Sequence, residues 1–207
     1  MGLAPKKKSL IAREQDAGER SAWHDEIITL NPAQVVVLDE TSTSTRLTPL
    51  QARAPRGQRA YGTIPHGRWE SITLVATMSL TGMGPALQFP GALDRDAFEL
   101  FIEQSLLPQL HPGQIISWDN LSVHKSRHAR ELIEAAGCRI MPTPRYSPDC
   151  NPIEQGFAKL KAALRRAAPR TFDDVVIATG KAMATITAQD ARNFFQDAGY
   201  LVPAQHL

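Results

Sequence analysis

Three acidic residues of this sequence stand next to predicted strands or at the start of a predicted helix. Asp39 closes the apolar run VVVLD, Asp119 closes IISWD, and Glu154 follows the turn sequence SPDCNP. Because ligands of open sheets collect beyond the carboxyl ends of the strands, we expect Asp39 and Asp119 to face one crevice. Like charges at close range raise the pKa of one group strongly, and a divalent cation removes that conflict. Hard oxygen ligands favour Mg²⁺ or Mn²⁺ over zinc, so the sequence predicts such a metal site.

Glu154 is predicted to be held in the first turn of a helix. Asn151 is typical of an N-cap and Pro152 of the first helical position, which makes Glu154 the third residue of the helix. Apolar residues at helical spacing would anchor this helix on the sheet: Ile153, Phe157, Leu160 and Leu164. Each acid also has a purely structural interpretation. Glu154 fits a capping box, Asp39 a turn at a strand end, and Asp119 an Asx-turn.

The elements that must position these acids follow from the hydrophobic pattern. Strands are predicted at 33–40, 71–82, 84–91, 113–120 and 138–144, and helices at 9–28, 94–110, 124–137, 152–168, 172–186 and 187–199. Residues 41–68 are predicted to form hairpin strands and an exposed loop. The order of three strands, helix, strand, helix, strand and further helices predicts an α/β protein, in which helices flank a mixed sheet.

Composition excludes several classes of protein. The 207 residues are 43% hydrophobic and 21% charged, which is ordinary for one globular domain. The chain has no apolar run of eighteen residues and no apolar segment at its start, so neither a membrane span nor a secretory signal is predicted. Its two cysteines, Cys138 and Cys150, form neither a disulfide framework nor a CxxC motif. We therefore expect a protein of the reducing cytoplasm.

The basic residues are segregated although the net charge is only +2. Five arginines and no acid lie between Glu40 and Glu70, and five basic residues and no acid lie between Glu154 and Asp173. Segregated basic stretches suit a polyanion such as DNA, and they also suit solvated faces of a protein without such a ligand.

Three segments of the sequence resemble a known family. VVVLDET, WDNLSVHKS and PRYSPDCNPIEQGFAKLKAALR are similar to the mariner-related bacterial insertion-sequence transposases, which are DDE superfamily endonucleases. The 34 residues between Asp119 and Glu154 match the Asp-Asp-34-Glu pattern of that superfamily. SPDCNPIEQ resembles its SPxLNPIE signature, with Cys150 in place of the usual leucine as an apolar-for-apolar exchange. The segment APRGQRAYGTIPHGRWESIT also resembles the family, and the resemblance covers about residues 6–200.

This resemblance implies a ribonuclease H-like core, with its first aspartate on the first strand, its second after the fourth strand, and its glutamate on a later helix. It implies an enzyme that cleaves DNA and transfers strands in cut-and-paste transposition. Two Mg²⁺ ions, with Mn²⁺ as a substitute, would be shared by the acids. Asp39 would bridge both ions, Asp119 would hold one and Glu154 the other. The expected partners are double-stranded DNA, as transposon ends and target, and a second copy of the chain on that DNA. The expected location is the nucleoid of a bacterial cytoplasm.

Further residues are expected to contact DNA. Asn120 and His124 belong to the family's DNxxxHK run and would contact a phosphate or orient Asp119, and His124 is also typical of a polar helix start. Phosphate contacts are expected from Lys125, Arg127, Arg145, Lys159, Lys161 and Arg165. Glu40 is ranked below the three acids, because successive side chains of a strand point to opposite faces. The tryptophans at 23, 69 and 118 are expected to pack rather than to stack on bases.

The domain organisation predicted from the resemblance has three parts. Residues 1–31 would be a linker or helix left from the connection to a DNA-binding region, 32–200 the catalytic domain, and 201–207 a tail. Relatives carry helix-turn-helix domains at their start, and the segment before Pro32 is too short for one. Two alternatives remain open. One is a silent or domesticated relative that binds DNA or a partner transposase, and the other is a magnesium phosphohydrolase, which expects a second aspartate two residues after Asp39.

Overall fold

The order of strands and helices in the computed structural model, which describes residues 12–203, agrees with the sequence prediction. The strands are β1 Val35–Ser44, β2 Ser71–Ser79, β3 Gly82–Pro90, β4 Ile115–Trp118 and β5 Arg139–Pro142. The helices are α1 Ala17–Ile27, α2 Arg95–Phe101, α3 Arg127–Ala135, α4 Ile153–Ala167, α5 Phe172–Ala184 and α6 Ala188–Asp197. Residues 9–11 of the first predicted helix and 204–207 of the predicted tail lie outside the described residues.

One mixed sheet forms the centre of the molecule, with the strand order β3-β2-β1-β4-β5. β2 is antiparallel to both β1 and β3, as expected for strands joined by hairpins and loops. β4 is parallel to both β1 and β5, and α3 lies between β4 and β5 in the chain. The mixed sheet with flanking helices was predicted from the order of elements and is confirmed.

β1 is longer than predicted, which changes the position of Asp39. The predicted strand stopped at residue 40, but β1 continues to Ser44 because its threonine and serine residues pair with β2 as far as Ser71. Its pairing with β4 ends earlier, at Val37. Asp39 therefore lies inside a strand and not at its end. It still lies just beyond the carboxyl end of the β1–β4 pairing, where the sheet opens on that side.

Alternating residues of β1 contribute to two separate cores. Val35 and Val37 join the core beneath α4 and α6, whereas Val36 and Leu38 join the core beneath α2 and α3. Since the side chains of a strand alternate, Asp39 belongs to the α4 face and Glu40 to the opposite face. This alternation assigns the two adjacent acids of β1 to different surroundings.

α4 packs closely on the sheet. Ile153, Phe157, Leu160 and Leu164 are all buried in the same core, as their spacing predicted. Gly156 is buried too, and a Cβ atom at this position would lie 2.4 Å from Cε of Met78 on β2. The missing side chain lets the first turn of α4, which carries Glu154, approach the sheet.

The segment from 45 to 70 contains no helix or strand and is largely exposed. The prediction of hairpin strands in 41–68 was therefore wrong beyond Ser44. Trp69 within it is 54% exposed, so the expectation that all three tryptophans pack was also wrong. Trp23 and Trp118 are buried as expected. Among the helices in the described range, none has the length and apolar character required to cross a membrane.

Candidate active site

The three acids predicted to act together line one cleft of about 440 Å³. They come from three elements: Asp39 from β1, Asp119 from the residue after β4, and Glu154 from the first turn of α4. The remaining lining residues are Asn120, Leu121, Lys125, Thr143, Pro144, Arg145, Tyr146, Ser147, Pro148 and Asn151. The cleft thus combines a carboxylate floor with two basic side chains and an exposed aromatic one.

Asp39 is the most buried of the three acids, with 8% of its surface exposed. Its Oδ1 accepts a hydrogen bond from the Glu40 amide and its Oδ2 accepts one from Asn151 Nδ2, both at 2.8 Å. Burial, together with the charges of Glu40, Glu154 and Asp119, raises the pKa of Asp39 to about 8. The ionised form of a buried carboxylate that is surrounded by other carboxylates is unfavourable, and a bound cation stabilises it strongly.

Asn151 has a second function that its position in the sequence did not reveal. Its side-chain oxygen accepts a hydrogen bond from the Ile153 amide at 3.3 Å, although α4 begins one residue later than predicted and Pro152, not Asn151, is its N-cap residue. Its side-chain nitrogen binds Asp39, 112 residues away in the chain. One amide side chain therefore ties the start of α4 to β1.

Glu154 is exposed and does not form the capping box that a structural interpretation required. In a capping box its carboxylate would accept from the amide of Asn151, but that amide donates to the Pro148 carbonyl at 3.1 Å. Burial raises the pKa of Glu154, and the charges of Glu40 and Asp119 add to this effect against that of Lys161. Glu154 is thus an acid held near other acids without a structural task of its own.

Asp119 is fixed by two donors. Its Oδ1 accepts from the Leu121 amide at 2.8 Å and from His124 Nδ1 at 2.6 Å. Burial opposes the ionisation of Asp119, but these hydrogen bonds outweigh it and hold the pKa of this carboxyl below its usual value. The bond to Leu121 is the predicted Asx-turn. Both bonds use Oδ1, and Oδ2 of Asp119 has no hydrogen bond among the described residues.

The side chain of His124 is buried, where it holds Asp119 in place and is not accessible to DNA. Only 1% of it is exposed, and its ring packs against Phe98 and Trp118 at centroid distances of 4.8 and 5.9 Å. Burial lowers its pKa, but Asp119 and Glu40 outweigh burial and raise it to about 9. The expectation that His124 touches a phosphate is corrected by this burial, and the alternative, that it orients Asp119, agrees with the geometry.

Glu40 is more closely connected to the site than its strand face suggested. It points to the opposite face from Asp39, as predicted, and its Oε2 lies 3.3 Å from Nε2 of His124. These atoms are not aligned as a hydrogen bond, so the contact is mainly electrostatic. The two acids Glu40 and Asp119 therefore contact the two nitrogens of the same His124 ring.

The predicted DNA contacts fall into two groups. Lys125 and Arg145 line the cleft, and so does Asn120, whose side chain donates to the Thr143 carbonyl at 3.0 Å. Lys161 and Arg165 follow Glu154 by seven and eleven residues, which places them on the same side of α4.

The second group lies elsewhere. Lys159 pairs with Asp190, the capping residue of α6, at 2.6 Å. Arg127 pairs with Glu131 one turn later on α3, at 2.7 Å. Both side chains thus have acidic partners and lie outside the cleft lining, and their contact with DNA stays a prediction.

The loop that leads into α4 is held by α1 and the residues before it. Arg20 binds Asp149 through two hydrogen bonds of 2.6 and 2.9 Å. Gln15 Nε2 donates to the Tyr146 carbonyl at 3.0 Å. Tyr146 itself has a φ of 54°, which is rare for a bulky residue. The sequence contained no local signal for these contacts, since the partners are about 130 residues apart.

The donors of the cleft suit a hard divalent cation, because Asp39, Asp119 and Glu154 all offer carboxylate oxygens. Within residues 12–203, however, no three His, Cys, Asp or Glu side chains already form a compact set of metal ligands. The three acids are therefore candidate ligands that line the same cleft without forming a compact set of ligands.

A family model described as DDE superfamily endonuclease matches residues 34–176. The chain belongs to this family. All three acids of the cleft lie within the matched region of this DDE superfamily endonuclease. The resemblance found in the sequence is therefore confirmed at the level of the family.

Similar sequences include transposases of nematodes. The Tcb1 transposase of Caenorhabditis briggsae is 30% identical over 107 residues, which are 50% of this chain and 39% of that protein. The Tc1 transposase of Caenorhabditis elegans is 28% identical over 106 residues, which are 49% of this chain and 38% of that protein. The aligned region thus spans about two fifths of these curated relatives.

Solved structures with the same fold include Mos1 transposase. Its paired-end complex with the left transposon end has a TM-score of 0.74 at 17% identity, covering 96% of this chain and 64% of the other. Its catalytic domain with Raltegravir and Mg has a TM-score of 0.69 at 15% identity and covers 92% of each chain. The DDE superfamily endonuclease described here therefore has the predicted ribonuclease H-like fold.

Proposed function

We propose that this DDE superfamily endonuclease is the catalytic part of a transposase, which cuts DNA and joins the freed 3′ ends to a new site. Asp39, Asp119 and Glu154 are the proposed catalytic residues. The observation that carries the proposal is the meeting of three acids from three elements at one cleft, at the spacing typical of the family. The nematode and Mos1 relatives are transposases, which supports the same assignment.

The proposed cofactor is a pair of Mg²⁺ ions, for which Mn²⁺ can substitute. Solved structures of Mos1 transposase include paired-end complexes with Mn and with Mg. In this chain Asp39 would contact both ions, Asp119 one and Glu154 the other. When bound, the two ions would activate the attacking oxygen and stabilise the leaving oxygen of the phosphodiester.

The other residues of the site would hold these ligands in place. Asn151 and the Glu40 amide fix the two oxygens of Asp39, and His124 with the Leu121 amide fixes one oxygen of Asp119. Loss of a partner that orients a metal ligand in this way commonly lowers metal affinity or activity by about 10- to 100-fold. The floor of the cleft is therefore arranged before substrate binds, and Glu154 completes it.

The proposed substrate is double-stranded DNA, both as transposon end and as target. Lys125, Arg145, Lys161 and Arg165 would contact its phosphates, because they lie in the cleft or on the Glu154 side of α4. Mos1 has been solved as a paired-end complex with a transposon end, which supports DNA as partner. We further propose assembly as a homodimer on DNA, at the nucleoid of a bacterial host.

Nicking of supercoiled plasmid in Mn²⁺ tests the proposed function. The wild-type protein is expected to convert supercoiled DNA to nicked and linear forms, and to lose this activity in EDTA. Glu154→Gln is expected to cut at least about 100-fold more slowly, because a metal ligand is lost while the size of the side chain is kept. Glu131→Gln, which changes an exposed acid of α3, is the matched control and is expected to cut at the wild-type rate. Equal rates for Glu154→Gln and wild type would overturn the assignment.

The division of the basic residues of α4 gives a prediction for DNA affinity. Lys161→Ala is expected to weaken binding to non-specific duplex DNA and to lower the slope of log K against log salt by about 0.9, the value for one phosphate contact. Lys159→Ala is expected to leave the slope unchanged, since its ammonium is paired with Asp190. Fluorescence anisotropy at several salt concentrations measures both. A larger change for Lys159→Ala than for Lys161→Ala would contradict this division.

A further inference from the structure

The exposed ring of Tyr146 has no structural task that explains its place in the cleft. Its side chain is 59% exposed, and the hydrogen bond described for this residue uses its backbone carbonyl. Among the large apolar side chains exposed in the described part of the chain, only Tyr146 and Leu121 line the cleft. Exposing such a ring in a site lined by charged groups suggests that it meets a ligand with an apolar face.

The backbone at Tyr146 strengthens this argument. Its φ of 54° is a conformation that glycine or asparagine adopts at little cost and a bulky side chain adopts rarely. The turn alone would therefore favour a small residue here. The surrounding contacts keep the conformation in place: Gln15 binds the Tyr146 carbonyl, Ser147 Oγ donates to the Arg145 carbonyl at 3.0 Å, and Arg20 holds Asp149. Costly backbone conformations that neighbours maintain are concentrated at functional sites.

The other groups that line the cleft indicate which ligand the ring meets. Proteins that bind nucleic acid strands combine basic groups, which follow the phosphates, with aromatic side chains on which bases stack. Arg145, the preceding residue, lines the same cleft and can contact the adjacent phosphate.

We infer that Tyr146 stacks on a nucleobase next to the scissile phosphate, and that this contact holds the DNA strand in the position for cutting. The inference rests on the proposed function, since it names a positioning residue of the same site. Leu121 lies in the same cleft and would cover part of the displaced base. Because every base has an aromatic face, this contact would be independent of sequence.

Photocrosslinking tests the contact without requiring cleavage. Duplex DNA with 5-iodouracil in place of thymine is irradiated with the protein in Ca²⁺, and the crosslinked peptide is identified by mass spectrometry. Tyr146 is expected to be the main crosslinked residue of the cleft. The crosslink is expected to remain in Tyr146→Phe and to disappear in Tyr146→Ala. Tyr61→Ala, which removes an 86% exposed ring outside the cleft lining, is expected to leave the crosslink at Tyr146 unchanged.

Plasmid nicking by the same variants separates stacking from a structural role. Tyr146→Phe is expected to cut within about 3-fold of wild type, whereas Tyr146→Ala and Tyr146→Gly are expected to be slower by about 5- to 150-fold, the range for one lost base contact. Tyr146→Gly is the decisive variant, because glycine accepts the observed φ and should unfold at the same or a higher denaturant concentration than wild type. Its slower cutting would then not reflect a damaged fold.

Two results would overturn the inference while leaving the proposed function intact. They are the absence of a crosslink at Tyr146, and wild-type nicking by Tyr146→Gly when Glu154→Gln is inactive. A wild-type protein that makes no metal-dependent nicks would instead remove the proposed function. The crosslink would still decide in that case whether Tyr146 receives a base.

Discussion

Asp39→Asn is expected to abolish metal-dependent cutting and, at the same time, to stabilise the metal-free protein. The loss of cutting, by at least about 1,000-fold, follows because the ligand proposed to contact both ions would lose its charge. The gain in stability follows because Asp39 is 8% exposed and lies near Glu40, Glu154 and Asp119, which disfavour its ionised form. Asparagine keeps the shape and can still accept a hydrogen bond from the Glu40 amide, but its NH2 group would face Asn151 Nδ2, so the bond from Asn151 is lost.

The sign of this effect depends on pH. The pKa of Asp39 is raised to about 8 from the ordinary value of 3.8, so the folded protein retains a proton that the unfolded chain releases. The stability of the metal-free wild type therefore falls as pH rises from about 4 to about 8, relative to that of Asp39→Asn. At pH 7 the raised pKa of Asp39 alone costs the wild type about 4 kcal/mol, and the lost bond from Asn151 reduces the expected advantage of Asp39→Asn to about 1–3 kcal/mol. This advantage is expected to disappear below about pH 4.

Urea unfolding in EDTA and in Mg²⁺ measures the difference. Mg²⁺ is expected to raise the free energy of unfolding of wild type and to have little effect on Asp39→Asn, because a ligand stabilises only the state that binds it. Asp25→Asn, which changes an exposed acid of α1, is the control and is expected to behave like wild type in both conditions. A metal-free Asp39→Asn protein less stable than wild type would show that Asp39 serves the fold and not a cation.

Leu160→Ala is expected to cause the largest loss of stability of the variants considered, about 3–5 kcal/mol in the free energy of unfolding. Leu160 is 0% exposed and lies in the core between α4 and the sheet. Removing its side chain leaves a cavity beneath the helix that carries Glu154, so cutting is expected to fall as well. Chemical denaturation measures the stability, and plasmid nicking at low temperature measures the activity of the folded fraction.

The control for this variant is Leu100→Ala on α2, where the same side chain is 44% exposed. This change is expected to cost less than about 1 kcal/mol, because little apolar surface is returned to water. Similar losses for Leu160→Ala and Leu100→Ala would contradict the view that α4 is anchored through its buried face.

The sequence predicted those parts of the fold that depend on local patterns. The apolar runs of β1, β2 and β4 and the helical spacing of Phe157, Leu160 and Leu164 are visible in short windows, and each became the expected element. Thr187 caps the start of α6, as predicted, and forms a capping box with Asp190. The convergence of the three acids was also predictable, because strand ends and helix starts meet at one edge of such a sheet.

Contacts between distant residues were not predictable in this way. The bond from Asn151 to Asp39 joins residues 112 apart, and the pair of Lys159 with Asp190 depends on how α4 and α6 pack. The burial of His124 depends on Phe98 of α2, which a reading of the WDNLSVHKS segment alone does not include. The extension of β1 to Ser44 depends on its pairing with β2. The end of β1 is therefore determined by tertiary context and not by the local sequence pattern.

Diffraction from crystals grown with Mn²⁺ tests the central claim most directly, because anomalous scattering locates each ion independently of the protein model. The account predicts two Mn²⁺ ions about 3.5–4 Å apart, one on each side of Asp39, with Asp119 and Glu154 as further ligands. Both peaks should disappear or weaken in Asp39→Asn crystals. Ions bound elsewhere on the molecule, or a cleft that stays without metal at saturating Mn²⁺, would contradict it.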